Sequence, residues 1–188
     1  SRDPDVIASV ASLKAFGYDR SPGARSIPGV YDISRLGINY RMSEIAAAIG
    51  LVQLTRIKAF ARQRDANIAA LRAALASGEG FRLLPDSDIR RKHANYCLVA
   101  VLDESLVGLR NEIVLKMKAD GVGTSVYYPV PLPLSHFYSE RYGHVAEEFP
   151  NAVRISNGSI ALPVGPHLNE EQMTVIADSF IRAIQEVS

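Results

Sequence analysis

The most constraining feature of this sequence is an apolar stripe between residues 42 and 60. Six side chains recur near one face at the 3.6-residue period of an α-helix: Met42, Ile45, Ile49, Val52, Ile57 and Phe60. Ser43 and Glu44 can cap its start, because a hydroxyl accepts an orphan amide proton and a carboxylate favours the positive helix end. A second helical stretch, Ala66 to Leu75, either continues this helix or follows it. The pattern therefore predicts a chain organised around a long helical segment.

The region before the stripe is mostly irregular. Asp5 to Phe16 has the apolar spacing of a short helix, and Gly17 to Gly37 is rich in Gly and Pro, which predicts a long surface loop. Loops of this length tend to be functional or disordered. No strand and no start methionine precede the first helix, so we expect the sequence to be a piece of a longer protein.

The region after about residue 80 alternates between strand and helix patterns. The predicted segments are strand 95–101, helix 106–119, strand 124–128, short helix 149–155, strand 159–163 and a final helix opened by the capping box of residues 169–172. This β-α-β-α-β-α order predicts a small α+β layer with a three- or four-stranded sheet covered by helices.

Composition excludes several classes of function. Lys+Arg number 21 and Asp+Glu 20, and this near balance gives no electrostatic reason to expect nucleic acid or an anionic membrane as a partner. The apolar stretches are far shorter than a membrane helix needs. Cys97 is the single cysteine, so no internal disulfide can form, and a reducing cytoplasmic setting is expected.

The start of the long helix carries a distinctive motif. Residues 37–45 read GINYRMSEI, and AAAIGL and Gln53-Leu54 follow within the same helix. This run resembles the signature of the DegT/StrS aminotransferases. Three later segments are similar to the same family in the same order, namely 121–129, 149–152 and 159–168. The resemblance covers nearly the whole chain.

The resemblance implies a fold and a division of the chain. Family members are fold-type-I enzymes that depend on pyridoxal phosphate (PLP), with an α/β large domain and an α+β small domain, and they are about twice as long. Residues 1–38 would then be the tail of the large domain and a loop, 39–77 an interdomain helical segment, and 78–188 the small C-terminal domain.

The same resemblance implies that the chain holds no catalytic residue. The Schiff-base lysine, the aspartate under the pyridine nitrogen and the ring-stacking aromatic would all lie upstream of Ser1. None of the five lysines stands in the family's S-x-H-x-x-K context; they are Lys14, Lys58, Lys92, Lys116 and Lys118.

Two residues of the motif are candidates for cofactor binding. In similar enzymes the Asn of G-x-N-x-R reaches the cofactor phosphate of the other subunit, and Asn39 matches it, which implies a homodimer with a shared active site. A phosphate suits convergent N–H donors before a helix N-terminus, and Arg41 could neutralise the same anion. Taken alone, Asn39 would be a turn or cap residue and Arg41 a surface charge.

Two residues of a downstream loop are candidates for substrate binding. Tyr127 to Leu134 resembles the segment where the family often carries a histidine close to the nucleotide-sugar, but Pro133 stands there. Tyr128 and, if the register of the segment slips by a few residues, His136 are the candidates. Taken alone, Tyr128 would be a buried residue and His136 a surface residue. His136, Glu140 and His144 share helical spacing, but Gly143 interrupts it and no fourth ligand is evident, so no metal site is expected.

The resemblance implies transfer of an amino group from glutamate to a keto carbon of a nucleotide-linked sugar, with PLP as cofactor. Three alternatives stay open at this stage. The chain could be a noncatalytic binding or oligomerisation module, part of a PLP-dependent sugar dehydratase in which histidine replaces the lysine, or an unrelated α/β regulatory domain. The residue that separates the first two from the aminotransferase is expected upstream.

Overall fold

The computed structural model describes residues 1–20, 22–24 and 26–188. The predicted loop from Gly17 to Gly37 contains Ser21 and Arg25, which lie outside the described residues. The described chain forms two compact units, Ser1–Arg56 and Ile57–Ser188.

The first unit begins with helix α1, Pro4–Leu13. Asp3 caps it by accepting hydrogen bonds from the amides of Asp5 and Val6. The helix ends three residues before the predicted Phe16, because Phe16 and Gly17 both have left-handed backbone conformations, with φ of 63° and 77°. A 3₁₀ turn, Pro22–Ala24, lies in the segment that follows.

Helix α2, Glu44–Ala74, runs without a break for 31 residues, so the two predicted helical stretches are one helix. The hydroxyl of Ser43 accepts a hydrogen bond from the amide of Ala46 at 3.2 Å, as expected for the predicted cap. The helix begins in the first unit and ends in the second. Its buried residues, Asn67, Ile68 and Leu71, all belong to its C-terminal half.

The second unit contains an antiparallel sheet whose strands lie in the order β1-β2-β3. The strands are β1 Phe81–Leu83, β2 Cys97–Leu102 and β3 Ser159–Pro163. Phe81 pairs with Leu102, and Val99 pairs with Ala161. The prediction of a three- or four-stranded sheet in an α+β layer is confirmed, with three strands among the described residues.

The strand predicted at 124–128 is wrong, because this segment makes only one bridge, between Ser125 and Ala161 on the free edge of β3. The next pairs in that register would join 123 to 163 and 127 to 159. Pro163 has no amide proton, and the amide of Ser159 already donates to the carbonyl of Ile155 at the end of a helix. The ladder therefore cannot extend in either direction. The third strand of the sheet is instead the three-residue β1, which pairs with β2 at the opposite edge.

Four further helices complete the second unit: α3 Arg110–Ala119, α4 His136–Tyr142, α5 Pro150–Gly158 and α6 Glu170–Gln185. Short 3₁₀ segments, Glu104–Leu109, Leu132–Leu134 and Ala146–Glu148, precede α3, α4 and α5. The predicted capping box is confirmed, since Asn169 and Gln172 exchange two bonds of 3.0 Å at the start of α6.

The core of the second unit lies between the sheet, the C-terminal half of α2, and helices α3 and α6. Its fully buried members include Leu71, Leu98, Ile113, Leu162 and Phe180. Burial of this kind contributes about 1.5–3 kcal/mol for each large apolar side chain. Within the described ranges, none of the helices combines the length and apolar character that a bilayer-spanning segment requires.

Candidate functional site

The G-x-N-x-R motif is held by backbone pairing with the end of α1. The amide of Ile38 donates to Leu13 O at 2.8 Å, and the amide of Tyr40 donates to Lys14 O at 2.8 Å. A side chain at Gly37 would collide with the backbone nitrogen of Gly17 and would lie 2.8 Å from Leu13 O. Glycine is therefore required by close backbone approach, which gives the first residue of the motif a structural reason.

Asn39 is fixed by this pairing through its backbone, since it forms a bridge with Ala15. Its side chain is exposed, and within the described residues no group hydrogen-bonds to its carboxamide. Its two N–H donors are therefore free of partners within the part of the chain that the structure describes.

Arg41 stands two residues later, with its guanidinium carbon 5.6 Å from the centroid of the Phe16 ring. A cation over an aromatic face is stabilised by about 0.5–1 kcal/mol at an exposed site. This contact leaves the guanidinium N–H groups available. Together, Asn39 and Arg41 supply the donors and the positive charge that a phosphate needs, so the residues present fit the phosphate of PLP.

The second unit contains a pocket of ≈ 760 Å³ between the loop that follows Ser125 and helix α5. The loop contributes mainly aromatic, proline and aliphatic residues, and α5 contributes two apolar residues and one serine. The lining residues are Tyr127, Tyr128, Pro129, Val130, Pro131, Leu132, Ser135, Ala152, Ile155 and Ser156. A mostly apolar cleft of this size with a few hydroxyl groups is typical of a small-molecule site.

Tyr128 lines this pocket and is 71% exposed. Tyr128 is therefore not the buried residue that its strand-like sequence context would predict. The ring of Tyr127 lies beside it at 5.7 Å between centroids, and Tyr96 lies 6.0 Å from Tyr127 on the other side. The side chain of Ser125, and then that of Tyr96, lower the pKa of Tyr127. Three phenols thus form a row that reaches the pocket.

His136 is the first residue of α4 and is absent from the pocket lining. Its side chain is 88% exposed, and its Nε2 lies 3.5 Å from the Glu140 carboxylate. Across the described ranges, no three His, Cys, Asp or Glu side chains are arranged to hold a metal ion. The structure therefore brings Tyr128 to the pocket and leaves His136 outside it.

None of the five lysines lines the pocket. Lys116 is engaged elsewhere, in an ion pair of 2.7 Å with Glu186, and the other four are exposed.

Asn67 is a structural residue of the second unit that the sequence pattern does not reveal. Its side chain is buried and donates to the carbonyls of Val164, Gly165 and Leu168 at 3.0–3.4 Å. Gln63 supports it by donating to Asn67 Oδ1 at 3.0 Å. These bonds fix the turn after β3 to α2. A polar residue at a core position of a helix is the signal that could have indicated this role.

The long helix, with the G-x-N-x-R motif before it, and the α+β unit that follows match solved sugar aminotransferase structures over about half of their length. The chain belongs to the DegT/DnrJ/EryC1/StrS aminotransferase family, whose sequence model matches residues 1–181. Pyridoxal phosphate is the cofactor of this family, and the similar pneumococcal protein described next has been solved in both PMP and PLP forms.

The chain is also similar to individual proteins and to solved structures. The chain is 27% identical over 187 residues to an uncharacterized protein of Methanocaldococcus jannaschii, and the alignment covers 97% of this chain and 48% of that protein. It is 25% identical over 159 residues to the spore coat polysaccharide biosynthesis protein SpsC of Bacillus subtilis, covering 84% of this chain and 39% of SpsC. The fold is similar to that of the putative sugar aminotransferase Spr1654 of Streptococcus pneumoniae, with a TM-score of 0.87, 21% identity, and coverage of 100% of this chain and 47% of that one.

The chain thus spans about half the length of the relatives it matches.

Proposed function

We propose that this chain is the C-terminal portion of a PLP-dependent aminotransferase that moves an amino group from glutamate to a keto nucleotide-sugar. The observation that carries the proposal is the family match across residues 1–181 together with an Asn39 carboxamide that has no acceptor within the described residues. The aromatic pocket at Tyr128 provides the space for a sugar-bearing ligand. The chain has a single cysteine, Cys97, which is compatible with a reducing cytoplasmic compartment.

In this proposal each named residue has a separate role. Asn39 donates to the cofactor phosphate, and Arg41 neutralises part of its charge. Tyr128 orients the sugar-bearing substrate in the pocket, while His136 contacts the exposed part of that ligand. When bound, PLP supplies the electron sink for amino transfer, and the protein supplies binding and orientation. The Schiff-base lysine belongs to a region outside these 188 residues.

We further propose a homodimer in which Asn39 serves the active site of the second copy. The residues that follow Asn39 support this, because the apolar side chains of Ile45, Ile49 and Val52 are exposed along one face of α2. A continuous exposed apolar face of this kind is typical of an interaction surface. The same face would serve a noncatalytic assembly module, which is the second candidate function.

The decisive experiment compares Asn39→Ala with Asn111→Ala in the protein that contains the lysine-bearing region. Asn111 is exposed on α3 and is a matched control. Loss of a hydrogen bond to a charged phosphate should weaken PLP binding roughly 10- to 100-fold in Asn39→Ala, and the control should bind normally. Equal PLP affinities for the two variants would contradict the role of Asn39. Release of 2-oxoglutarate from glutamate, dependent on a keto nucleotide-sugar, tests the reaction itself.

The coding sequence upstream of Ser1 separates the alternatives. A lysine in an S-x-H-x-x-K context favours the aminotransferase, and a histidine at that position favours the dehydratase. A native start at Ser1 favours the assembly module. Treatment of the 188-residue chain with PLP and borohydride is an independent check, read by peptide mass spectrometry. No lysine should be modified selectively, and a specific adduct at one of the five would refute the proposal that the nucleophile lies elsewhere.

A further inference from the structure

Arg64, in the C-terminal half of α2, is a partly buried cation with no counter-ion among the residues that the structure describes. Its Nε is buried, and among the described residues no group accepts a hydrogen bond from its guanidinium. No carboxylate within the described ranges forms an ion pair with it. A buried donor without a partner carries a free-energy cost, so such an arrangement calls for an explanation.

Arg72, two helical turns later, shows what a structural arginine on this helix looks like. Its Nε is also buried without a hydrogen-bond partner, but it lies 3.6 Å from the carboxylate of Asp86, and its Nη2 donates to Leu84 O at 2.6 Å. Arg72 thus ties α2 to the segment that follows β1. Arg64 has no corresponding attachment within the described residues, so a role in holding the fold together does not account for it.

The neighbours of Arg64 connect it to the row of phenols. The adjacent residue, Asp65, accepts a hydrogen bond of 2.7 Å from Asn95, which holds the segment before β2 against this turn of α2. Tyr96 comes next in that segment. The bond between Asp65 and Asn95 therefore brings the Tyr96 segment to the turn of α2 that carries Arg64. In agreement, the hydrogen bond with Tyr127 raises the pKa of the Tyr96 phenol, and the positive charge of Arg64 opposes that rise.

The row continues from Tyr96 into the substrate pocket. The Tyr96 and Tyr127 rings are 6.0 Å apart, and Tyr127 lines the ≈ 760 Å³ pocket beside Tyr128. Phenol hydroxyls donate hydrogen bonds to anionic oxygens, and guanidinium offers a planar fork that matches them. A cation that is unpaired within the described ranges therefore lies at one end of a series of hydroxyl groups that leads to a mostly apolar cleft.

We propose that Arg64, assisted by the hydroxyls of Tyr96 and Tyr127, binds the diphosphate of the nucleotide-sugar. This inference rests on the proposed function for the identity of the ligand. A diphosphate is favoured over the carboxylates of the amino donor, because Arg64 does not line the pocket itself and a long ligand is needed to reach it from there. The assignment makes Arg64 a binding residue for the acceptor substrate.

The test uses the 188-residue chain, with inorganic pyrophosphate, UDP and glutamate as separate probes. Nuclear magnetic resonance of the arginine Nε–Hε groups reports on Arg64 directly. Pyrophosphate and UDP should shift the Arg64 signal, and Arg64→Gln should weaken their binding roughly 10- to 100-fold. Arg62→Gln is the matched control, because Arg62 is an exposed residue of the same helix and its loss changes the net charge equally.

Several outcomes would overturn the assignment. They are a response to glutamate alone, equal weakening by Arg64→Gln and Arg62→Gln, and no binding of pyrophosphate or UDP. If the amide spectrum shows that Arg64→Gln is unfolded, Tyr127→Phe and Arg64→Lys replace it, and unchanged binding in both variants would refute the proposal. The measurement needs neither cofactor nor lysine, so its result is independent of whether the whole protein transfers amino groups.

Discussion

The two halves of α2 have the same apolar periodicity but opposite environments. Ile49, on the apolar stripe, is 60% exposed and Leu54 is 62% exposed, whereas Leu71, on the same helix, is fully buried. The C-terminal half packs against the sheet, α3 and α6, while the large apolar side chains from Ile45 to Leu54 in the N-terminal half are exposed in the described structure. An apolar stripe therefore shows that a helix face requires burial, but it does not show which surface covers that face.

The strongest test of this contrast compares Leu71→Ala with Leu54→Ala in the 188-residue chain. Leu71→Ala should lower the free energy of unfolding by about 2–5 kcal/mol, because it removes core contacts and leaves a cavity. Leu54→Ala should change it by no more than about 0.5 kcal/mol. Urea denaturation at low protein concentration measures both. Similar losses in the two variants would show that Leu54 is covered, and the contrast would fail.

The next test addresses what covers the N-terminal half. Ile49→Glu places a charge on the exposed apolar face and should weaken self-association at least about tenfold, since burial of one such side chain contributes about 1.5–3 kcal/mol. Lys58→Glu, at an exposed polar position of the same helix, is the control. Sedimentation equilibrium over a concentration series gives the dissociation constants. A parent chain that stays monomeric at every concentration would refute the proposal that a second copy binds this face.

A third test concerns the polar contact of the buried half. Asn67→Ala leaves the carbonyls of Val164, Gly165 and Leu168 without their donor and should lower the free energy of unfolding by about 1–3 kcal/mol. Asn111→Ala makes the same substitution on an exposed helix surface, and chemical denaturation should show it to be nearly neutral. A neutral Asn67→Ala would mean that the turn after β3 does not depend on α2.

The smallest expected effect is a pH dependence between α3 and α6. The Ser179 hydroxyl and then Arg182 lower the pKa of Asp120, with contacts of 2.7 and 2.6 Å. In acid, the unfolded chain therefore binds more protons at Asp120 than the folded chain does. The contribution of the Asp120 contacts to stability is complete above the pKa of the unfolded state, and it is lost as the pH falls through the lower pKa of the folded state.

Asp120→Asn should remove this part of the acid-induced fall in Tm. Asp103→Asn, whose side chain has no hydrogen bond within the described residues, should leave the slope intact. Thermal unfolding between pH 7 and the acid limit compares the two variants. An unchanged slope in Asp120→Asn would show that the contact makes no measurable contribution.

Local sequence signals were sufficient for elements whose ends are specified by nearby residues. The capping box at Asn169, the strand predicted at 159–163 and the helical period of α2 all agree with the observed structure. Strand β1 has only three residues, so its alternation is too short to be distinctive. The segment around Ser125 has strand-forming composition, but whether it pairs depends on donors of β3, which are distant in sequence.

The candidate site was predictable to different degrees for the same reason. Asn39, Arg41, Tyr128 and His136 were candidates because they lie in or beside short motifs, and their roles remain predictions. Tyr128 does line a pocket. The only local signal of Asn67 is a polar residue at a core position of the helix, because the carbonyls that it binds lie roughly 100 positions away. Arg64 carries no local signal, because the phenol that its charge affects lies roughly 30 positions away.

The edges of the small sheet limit how this chain can aggregate. An exposed strand edge is a template for β-strand addition by another chain. Along the outer edge of β3, Ala161 forms backbone hydrogen bonds with Ser125, and the amide of Ser159 donates to the carbonyl of Ile155. Pro163 has no amide proton. The opposite edge is the three-residue β1. Growth of fibrils by edge-to-edge pairing of native sheets is therefore disfavoured at both sides.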